Sequence, residues 1–395
     1  MSTSDQKISR RIALSSGVAA VVGLAAGTVL GSTMAPPTAQ KTVTFTQVQA
    51  STVTRSVTAT QTLTATATQT VTATPPRPAL ETLKVVQIPI LAIAPVLVAQ
   101  EFKLFEAEGI TVQIEPTPGA GPTIEAVLTG AADIGFTGHT AVWKLADERG
   151  IYLKMVHQGG VTGTQYRGRK IDPAKSTLLL VRKDSGIKRL ADLQGKNVAI
   201  NVINDIPHLA TSIAIKRAGY DPNTFVKWVE IPFPQMLPSM AAGRVDAAVM
   251  AAPFSIAALR QGVAEHLVDP PLLPTSSIFL PTIGDPALLG AWWTSEETLR
   301  KKPKAIVAFM RAVANGIRHM YGDEENALQI IAKGLNLDLP IAKDSFEGYG
   351  FAADPDGFTR TDLLEPQMKA YLEIGFLKKA LDLKRLTFTA KEVLG

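Results

Sequence analysis

The sequence predicts an α/β protein with two lobes. Strands and helices alternate over 83–157, and a second alternating set follows over 177–261. Alternation of this kind is typical of mostly parallel sheets covered by helices. No glycine- or serine-rich linker separates the two sets, and the segments near 178 and 288 have the character of strands that pass from one lobe to the other. Two lobes joined by paired crossing strands form a hinge with a cleft between them.

The first set begins with an apolar strand and repeats a strand–helix unit. Short β-branched runs predict strands, and apolar residues at helical spacing predict helices. Gly109 ends the first helix, and Pro122 stands at a favoured early position of the next one. Strands are predicted at 83–88, 110–115, 133–136 and 152–157, and helices at 95–108, from 123 onward and after Gly138.

The second set repeats the same units and is followed by a helical region. Strands are predicted at 177–182, 198–201, 228–231 and 247–250, and helices at 187–194, 207–218, 236–242 and 254–261. The chain is then expected to be extended at 288–293, with long helices at 303–321, 323–334 and 365–374.

The positive charge of the chain is concentrated at its N-terminal end. The 395 residues carry a formal net charge of +5, and residues 1–80 hold six basic residues and one acidic residue. Residues 81–395 are therefore neutral overall and have no basic excess with which to bind nucleic acid. The chain has no cysteine, which excludes disulfides, thiolate metal sites and cysteine nucleophiles.

The N-terminal region predicts a location outside the cytoplasmic membrane, in the periplasm or at the cell surface. Residues 1–35 place Arg10 and Arg11 before an apolar run, which is typical of a twin-arginine-like export signal. An ordinary export signal and an uncleaved membrane anchor are the alternatives. Residues 36–79 alternate threonine with valine, alanine and glutamine and end in a proline-rich stretch, which favours an extended stalk.

Four segments of the chain resemble one family of proteins. They are 103–110 (KLFEAEGI), 130–135 (GAADIG), 179–200 (LLVRKDSGIKRLADLQGKNVAI) and 241–254 (AAGRVDAAVMAAPF), of which the third is the most specific. In this order and spacing they resemble the extracytoplasmic substrate-binding proteins of ABC importers. The resemblance is to the branch for nitrate, sulfonate, taurine, bicarbonate and thiamine precursors.

The resemblance implies the fold, the partners and the kind of solute. The fold would be that of type II periplasmic binding proteins, with lobe one over 81–177 and 290–395 and lobe two over 178–289. The partners would be a small-molecule solute and a membrane permease with a cytoplasmic ATPase. The chain would be monomeric, without cofactor or metal. The expected solute is a small anion, such as a sulfonate, nitrate or a carboxylate.

Two alternatives to transport stay open. An enzyme on the same scaffold could act on a pyrimidine or sulfur compound, although the resemblance implies that such enzymes depend on cysteine-bearing motifs, which this chain lacks. The five histidines show no H-x-x-x-H or H-E-x-x-H spacing, and neither a G-x-S-x-G elbow nor a phosphate loop is present. A stalked sensor domain is the second alternative.

The stretch Gly138-His139-Thr140 is expected to contact the solute. It follows a predicted strand and begins a helix, where exposed N–H groups and the positive end of the helix dipole favour an anion. Gly138 would allow close approach of the backbone, and His139 could donate a hydrogen bond or add charge. The alternative is that Thr140 or His139 only caps the helix.

Other loops at strand ends supply further candidates. The apolar loop 89–92 would contact an apolar part of the solute or form a packed wall. At 204–208, Asn204 or Asp205 would bind the solute or cap a helix, and Asp205 would repel an anion unless it accepts from an N–H or pairs with a cation. In the long connection 158–175, an arginine could hold an anionic group, or the segment could be a solvated loop. The predicted ligand-binding residues are Ile90, Leu91, Gly138, His139, Thr140, Tyr166, Arg167, Asn204, Asp205, His208, Gln235, Pro253 and Phe254.

Overall fold

Two five-stranded sheets form the framework of the protein. The computed structural model describes residues 81–275, 277–357 and 360–394, and residues 80–395 form one unit. The predicted export signal and the predicted stalk both lie outside the described residues. Within the described ranges, no helix combines the length and the apolar character that a membrane span requires.

Strands and helices alternate as the sequence predicts. The strands are β1 Glu81–Gln87, β2 Ile110–Pro116, β3 Ile134–Thr137, β4 Lys154–Gln158, β5 Val161–Thr162, β6 Gln165–Tyr166, β7 Arg169–Lys170, β8 Leu178–Arg182, β9 Asn197–Ile200, β10 Lys227–Glu230, β11 Ala247–Met250, β12 Ala264–His266, β13 Ala287–Leu288 and β14 Ala291–Thr294. The helices are α1 Ala94–Glu101, α2 Leu104–Ala107, α3 Ala120–Thr129, α4 His139–Arg149, α5 Ile206–Arg217, α6 Pro222–Phe225, α7 Phe233–Ala241, α8 Phe254–Arg260, α9 Leu280–Ile283, α10 Glu296–Lys301, α11 Pro303–Gly322, α12 Glu324–Leu335, α13 Leu339–Glu347, α14 Glu365–Glu373, α15 Leu383–Leu386 and α16 Lys391–Leu394. Short 3₁₀ helices span Leu91–Ile93, Pro173–Lys175, Leu190–Leu193 and Thr361–Leu363.

Sheet 1 has the strand order β2-β1-β3-β14-β4. Strand β1 pairs in parallel with β2 and β3, whereas β14 runs antiparallel to β3 and β4. Every residue of β3 and β14 is buried, including Trp292 and Trp293. Such continuously apolar strands are expected where helices cover both faces of a sheet.

Sheet 2 has the strand order β10-β9-β11-β8-β12. Strand β9 is parallel to β10 and β11, and β8 is antiparallel to β11 and β12. The parallel pairs β1/β3 and β9/β11 each bring two strand carboxyl ends to one edge of their sheet. In α/β folds this is the edge at which ligands bind.

The two connections between the sheets pair with each other. Strand β5 runs antiparallel to β13, with Val161 opposite Leu288 and Thr162 opposite Ala287. The first connection also contains the hairpin β6–β7, which turns at Arg167 and Gly168 with φ of 51° and 78°. Positive φ at both turn residues is typical of a two-residue hairpin. The α/β fold with paired crossing segments is thus confirmed.

The long helix α11 packs against α1 beside sheet 1. Gly316 makes this close approach possible, because a Cβ atom there would lie 2.4 Å from the carbonyl oxygen of Pro95. The C-terminal helices thereby close one side of the framework and leave the strand ends free to form the site.

Candidate functional site

A cavity lies between the two sheets, at the carboxyl ends of their parallel strands. Its volume is about 60 Å³, which is room for a few water molecules or a small polar group. Ile88 follows β1, Thr137 ends β3, Asn201 follows β9 and Ala251 follows β11, and all four line the cavity. The cavity therefore lies where the topology of both sheets places a ligand site.

The wall from sheet 1 is apolar apart from two threonines. Ile88, Ile90 and Phe136 line it, and each is at most 8% exposed. Thr137 and Thr140 are both 1% exposed. Within the described structure, the Thr137 hydroxyl has no hydrogen-bond partner, which leaves a buried polar group that a cavity occupant would satisfy.

The start of helix α4 also faces this cavity. Gly138 is the N-cap residue and lines the cavity together with Thr140. No side chain caps α4, so the interpretation of Thr140 or His139 as a helix cap is wrong. The first-turn N–H groups of α4 therefore lack a side-chain acceptor.

The wall from sheet 2 contains a carboxyl group. Asp205 is the N-cap of α5 and accepts hydrogen bonds from the backbone N–H of His208 at 2.8 Å and of Val202 at 3.3 Å. Asp205 lines the cavity next to Ile206 and near Phe233. It therefore caps a helix and reaches the candidate site at the same time.

The electrostatics of the cavity are dominated by this carboxyl group. Burial raises the pKa of Asp205 to about 7, and the nearby Glu230 carboxylate raises it too, while the two backbone N–H donors act in the opposite direction. None of the described residues that line the cavity is a lysine, an arginine or a histidine. The formal charge of the lining is therefore negative or zero.

A third wall comes from the long connections between elements. Thr177, Phe279, Leu289 and Tyr349 line the cavity from segments outside the parallel strands. Tyr349 is 1% exposed, and its hydroxyl lies near the side chains of Thr177 and Ser176 and the backbone of Ala252. Burial raises the pKa of Tyr349 to about 12, so this hydroxyl stays protonated at neutral pH.

The segments of the two sheets touch beside the cavity. A Cβ atom at Gly138 would lie 3.2 Å from Cδ1 of Ile206, which is tighter than an ordinary contact. The backbone N–H of Leu91 donates to the carbonyl oxygen of Ala252 at 3.2 Å. A side chain at 138 would therefore crowd Ile206, which would have to shift by a few tenths of an ångström.

His139 lies outside the cavity lining, in a buried aromatic cluster. The ring is fully buried, packs 4.5 Å from the Trp143 ring, and places Nε2 3.4 Å from the Tyr371 hydroxyl. Burial lowers the pKa of His139 to about 3, so the ring is neutral at pH 7. The expectation that His139 adds positive charge is wrong.

Leu91, Asn204 and His208 also lie outside the lining. Leu91 is fully buried in the core. Asn204 is exposed with φ of 67°, and its backbone N–H donates to Nδ1 of His208 at 3.1 Å. The His208 ring packs edge-on against Trp228 with ring centroids 4.6 Å apart. These three residues support the loop and the core around the cavity.

Gln235, Pro253 and Phe254 flank the cavity without lining it. Gln235 is exposed, and Pro253 is buried after a cis peptide bond. Phe254 stacks on Phe233, with ring centroids 6.1 Å apart. Phe233 is the residue of this group that reaches the cavity.

Tyr166 and Arg167 line a separate, open surface depression of about 740 Å³. The Tyr166 hydroxyl donates to Oε1 of Gln158 at 2.8 Å. Arg167 donates from one Nη2 atom to both carboxylate oxygens of Asp354, at 2.9 and 3.2 Å. The expectation that this arginine holds a cleft anion is therefore not supported by its position.

Of the predicted residues, the cavity brings together Ile90, Gly138, Thr140 and Asp205. The sequence analysis missed Phe136, Thr137, Asn201, Phe279 and Tyr349. Thr137 and Asn201 could have been found, because each stands at the carboxyl end of a parallel strand. Phe279 and Tyr349 carry no local signal, since they come from irregular connections. Across the described residues, no group of three or more acidic or histidine side chains is arranged to hold a metal ion.

The two sheets, the paired crossings and the cavity define a binding-protein class of fold, which solved structures share. The alkanesulfonate-binding protein SsuA from Xanthomonas axonopodis pv. citri, solved with MOPS, is 18% identical with a TM-score of 0.62, over 78% of this chain and 98% of its own. The nitrate-binding protein NrtA from Synechocystis is 14% identical with a TM-score of 0.60, over 78% and 86%. The desulfurization enzyme DSZB is 17% identical with a TM-score of 0.53, over 77% and 95%. These likenesses concern the fold alone.

The family follows from the sequence itself. The chain belongs to the NMT1/THI5-like family, whose model matches residues 91–327. It is also 26% identical over 256 residues to a Brachyspira hyodysenteriae protein named as a candidate ABC transporter periplasmic binding protein, which covers 63% of this chain and 68% of that relative. The family indicated by the four sequence segments is confirmed.

Proposed function

We propose that this protein is the extracytoplasmic solute-binding component of an ABC importer. The observation that carries the proposal is the cavity, which is walled by strand ends of both sheets. Such a site is complete only when both sheets face the same solute. Membership in the NMT1/THI5-like family and the curated periplasmic relative support the same function.

The mechanism is closure of two lobes around the solute. We assign residues 81–177 and 290–395, which contain sheet 1, to lobe one, and residues 178–289, which contain sheet 2, to lobe two. Solute bound to one lobe would gain contacts from the other only when the lobes close, so binding favours the closed form. We propose that the close approach of Gly138 to Ile206 belongs to this closed form.

The closed protein would then deliver its solute to a permease outside the cytoplasmic membrane. The export signal and stalk predicted from the sequence fit a domain that works close to that membrane. The permease would be driven by a cytoplasmic ATPase, and the solute would leave the protein chemically unchanged. Chromatography of solute recovered after incubation tests this last point, since an altered product would indicate an enzyme.

The expected anionic solute finds mixed support in the cavity. The uncapped start of α4 offers N–H groups to an acceptor, as an anion site would. Asp205 lies on the opposite wall, and its carboxyl group opposes an anion. The fold does not decide between an anionic solute and one that is not anionic. The solved neighbours share the fold at only 18% and 14% identity, so their solutes need not be the solute of this chain.

The direct test is thermal unfolding of the full-length protein against a solute panel. The panel contains nitrate, bicarbonate, taurine, alkanesulfonates, aromatic carboxylates, phosphate and thiamine-pyrimidine precursors. A solute at one hundred times its dissociation constant should stabilise the protein by about 2.7 kcal/mol. Ala120 lines the cavity, so Ala120→Leu should remove this shift by filling the site.

Ala107→Leu provides the matched control, because Ala107 is exposed on α2 and away from the cavity. It should leave the solute-dependent shift intact. A shift that survives Ala120→Leu would place the solute elsewhere, and the absence of any shift across the panel would count against the anionic solutes in it.

A further inference from the structure

The cavity carries information about the charge of its solute. Asp205 is the charged residue among the described residues that line it. His139 and His208 lie outside the lining, and burial lowers the pKa of His139 to about 3 and that of His208 to about 4. A solute group in contact with Asp205 therefore faces a hydrogen-bond acceptor. The described lining has no lysine, arginine or histidine that could neutralise this acceptor.

Asp205 has acceptor capacity left over. Each of its two oxygens accepts one backbone N–H, from His208 and from Val202. A carboxylate offers about four acceptor positions, so about two stay available. Because an ionised carboxylate only accepts hydrogen bonds, its complement on the solute is an N–H or O–H donor. Glu230 adds negative potential on the same side.

Besides Asp205, the polar residues that line the cavity are Thr137, Thr140, Thr177, Asn201 and Tyr349. Thr137 and Tyr349 are each 1% exposed; the Thr137 hydroxyl has no hydrogen-bond partner among the described residues, whereas the Tyr349 hydroxyl lies near Thr177 and Ser176. A hydroxyl both donates and accepts, so these groups can satisfy a neutral polar edge. The uncapped N–H groups of α4 can likewise bond a neutral carbonyl or hydroxyl oxygen as well as an anion.

The remaining lining is mostly apolar and includes three phenylalanine rings. Phe136 comes from sheet 1, Phe233 from the start of α7, and Phe279 from the segment before α9. Ile88 and Ile206 also line the cavity. A solute that meets this surface gains by presenting an apolar body.

We propose that the solute carries no negative charge on the part that enters the cavity, and that it presents an N–H group to the Asp205 carboxylate and an apolar body to the phenylalanine rings. The N–H group belongs to a neutral amide-like or a cationic amidine-like function. This inference rests on the proposed solute-binding function and replaces the expected anion.

The test uses two series of isosteric probes that differ in charge. Acetamidinium, acetamide and acetate form the small series, and benzamidinium, benzamide and benzoate form the large one. Binding to the full-length protein is measured by calorimetry at pH 8.5 and constant ionic strength, where Asp205 is ionised. The amidinium and amide probes should bind more tightly than the carboxylate probes in the series that fits.

The Asp205→Asn variant shows whether the charge of Asp205 strengthens or weakens the binding of each probe. Asparagine caps helices as well as aspartate does, so α5 should be retained while the charge is lost. Amidinium binding should weaken about 10- to 100-fold, as expected for loss of a hydrogen bond to a charged group. Asp221→Asn is the control, since Asp221 caps α6 through the N–H of Asn223 and does not line the cavity. It should leave the affinity unchanged.

The outcomes separate this inference from the transport function. If a carboxylate probe or an anion of the solute panel binds best and Asp205→Asn tightens it, the solute is an anion and the inference is overturned, while solute binding stands. The inference is equally overturned if the amidinium and amide probes do not bind. If neither the probes nor the panel binds, the proposed function fails as well.

Discussion

Thr137 and Thr294 lie on paired strands of sheet 1 and differ in their hydrogen bonding. Both are buried, at 1% and 0% exposed. The Thr294 hydroxyl donates to the carbonyl oxygen of Asp133 at 2.7 Å, whereas the Thr137 hydroxyl has no protein partner and lines the cavity. Valine keeps the shape of threonine without its hydroxyl, so Thr→Val at each position isolates that difference.

The two substitutions should change stability in different ways. Thr294→Val loses a buried hydrogen bond and should lower the free energy of unfolding by about 1 kcal/mol. Thr137→Val removes a hydroxyl that only a cavity occupant can satisfy, so it should raise that free energy by up to about 1 kcal/mol. For a chain of this size, each change corresponds to a shift in Tm of about 2 °C.

Scanning calorimetry of the full-length protein without and with a bound solute provides the assay. With solute, Thr137→Val should lose part of the stabilisation that the wild type gains, because the hydroxyl is proposed to bond to the solute. Thr294→Val should keep that gain. A Thr137→Val protein that unfolds below Thr294→Val without solute would refute the reasoning, since its hydroxyl would then have a partner in the protein.

Three further predictions concern closure, pH and the surface arginine. Gly138→Ala should weaken solute affinity by crowding Ile206, and adding Ile206→Val should restore part of that affinity. Titration calorimetry of both variants checks this. An unchanged affinity of Gly138→Ala would contradict the proposed approach of Gly138 to Ile206 in the closed form. The raised pKa of Asp205 lies near 7, so the folded state binds more protons than the unfolded state from about pH 4 to 7. The stability of the wild type relative to Asp205→Asn should therefore fall as the pH rises through this range. Denaturant unfolding at several pH values measures this difference, which would not change with pH if the pKa of Asp205 were not shifted. Arg167→Ala should lower stability by less than about 1 kcal/mol, because its ion pair with Asp354 is largely exposed, and should change solute affinity by less than twofold; a large loss of affinity would return this arginine to the site.

Most of what could be predicted about the site follows from one rule, that ligands bind at the carboxyl ends of parallel strands. Ile90, Gly138, Thr140 and Asp205 were found because each stands just after a predicted strand. Local pattern specifies strands well when they are short and mostly apolar, as β3 and β8 are. The carboxyl ends of such strands can therefore be located before the sheet is known.

The residues that were expected to bring positive charge to the site do not line the cavity. His139 and Arg167 were attractive because they could bring positive charge to an anion. The structure places His139 against Trp143 and Tyr371 in the core, and it places Arg167 at a hairpin tip with Asp354 as its partner. The direction of a side chain and its partners depend on distant segments, which no local pattern reports.

The sequence by itself determined the α/β class, the order of the elements and the family, because periodicity and short motifs are local properties of the chain. Only the tertiary structure decided which residues share the cavity. Tyr349 and Phe279 reach it from connections far along the chain, and the negative character of the cavity arises because no cation was folded beside Asp205 in the described lining. Burial and the partners of a charged group are properties of the packed molecule, and no local pattern in the sequence reports them.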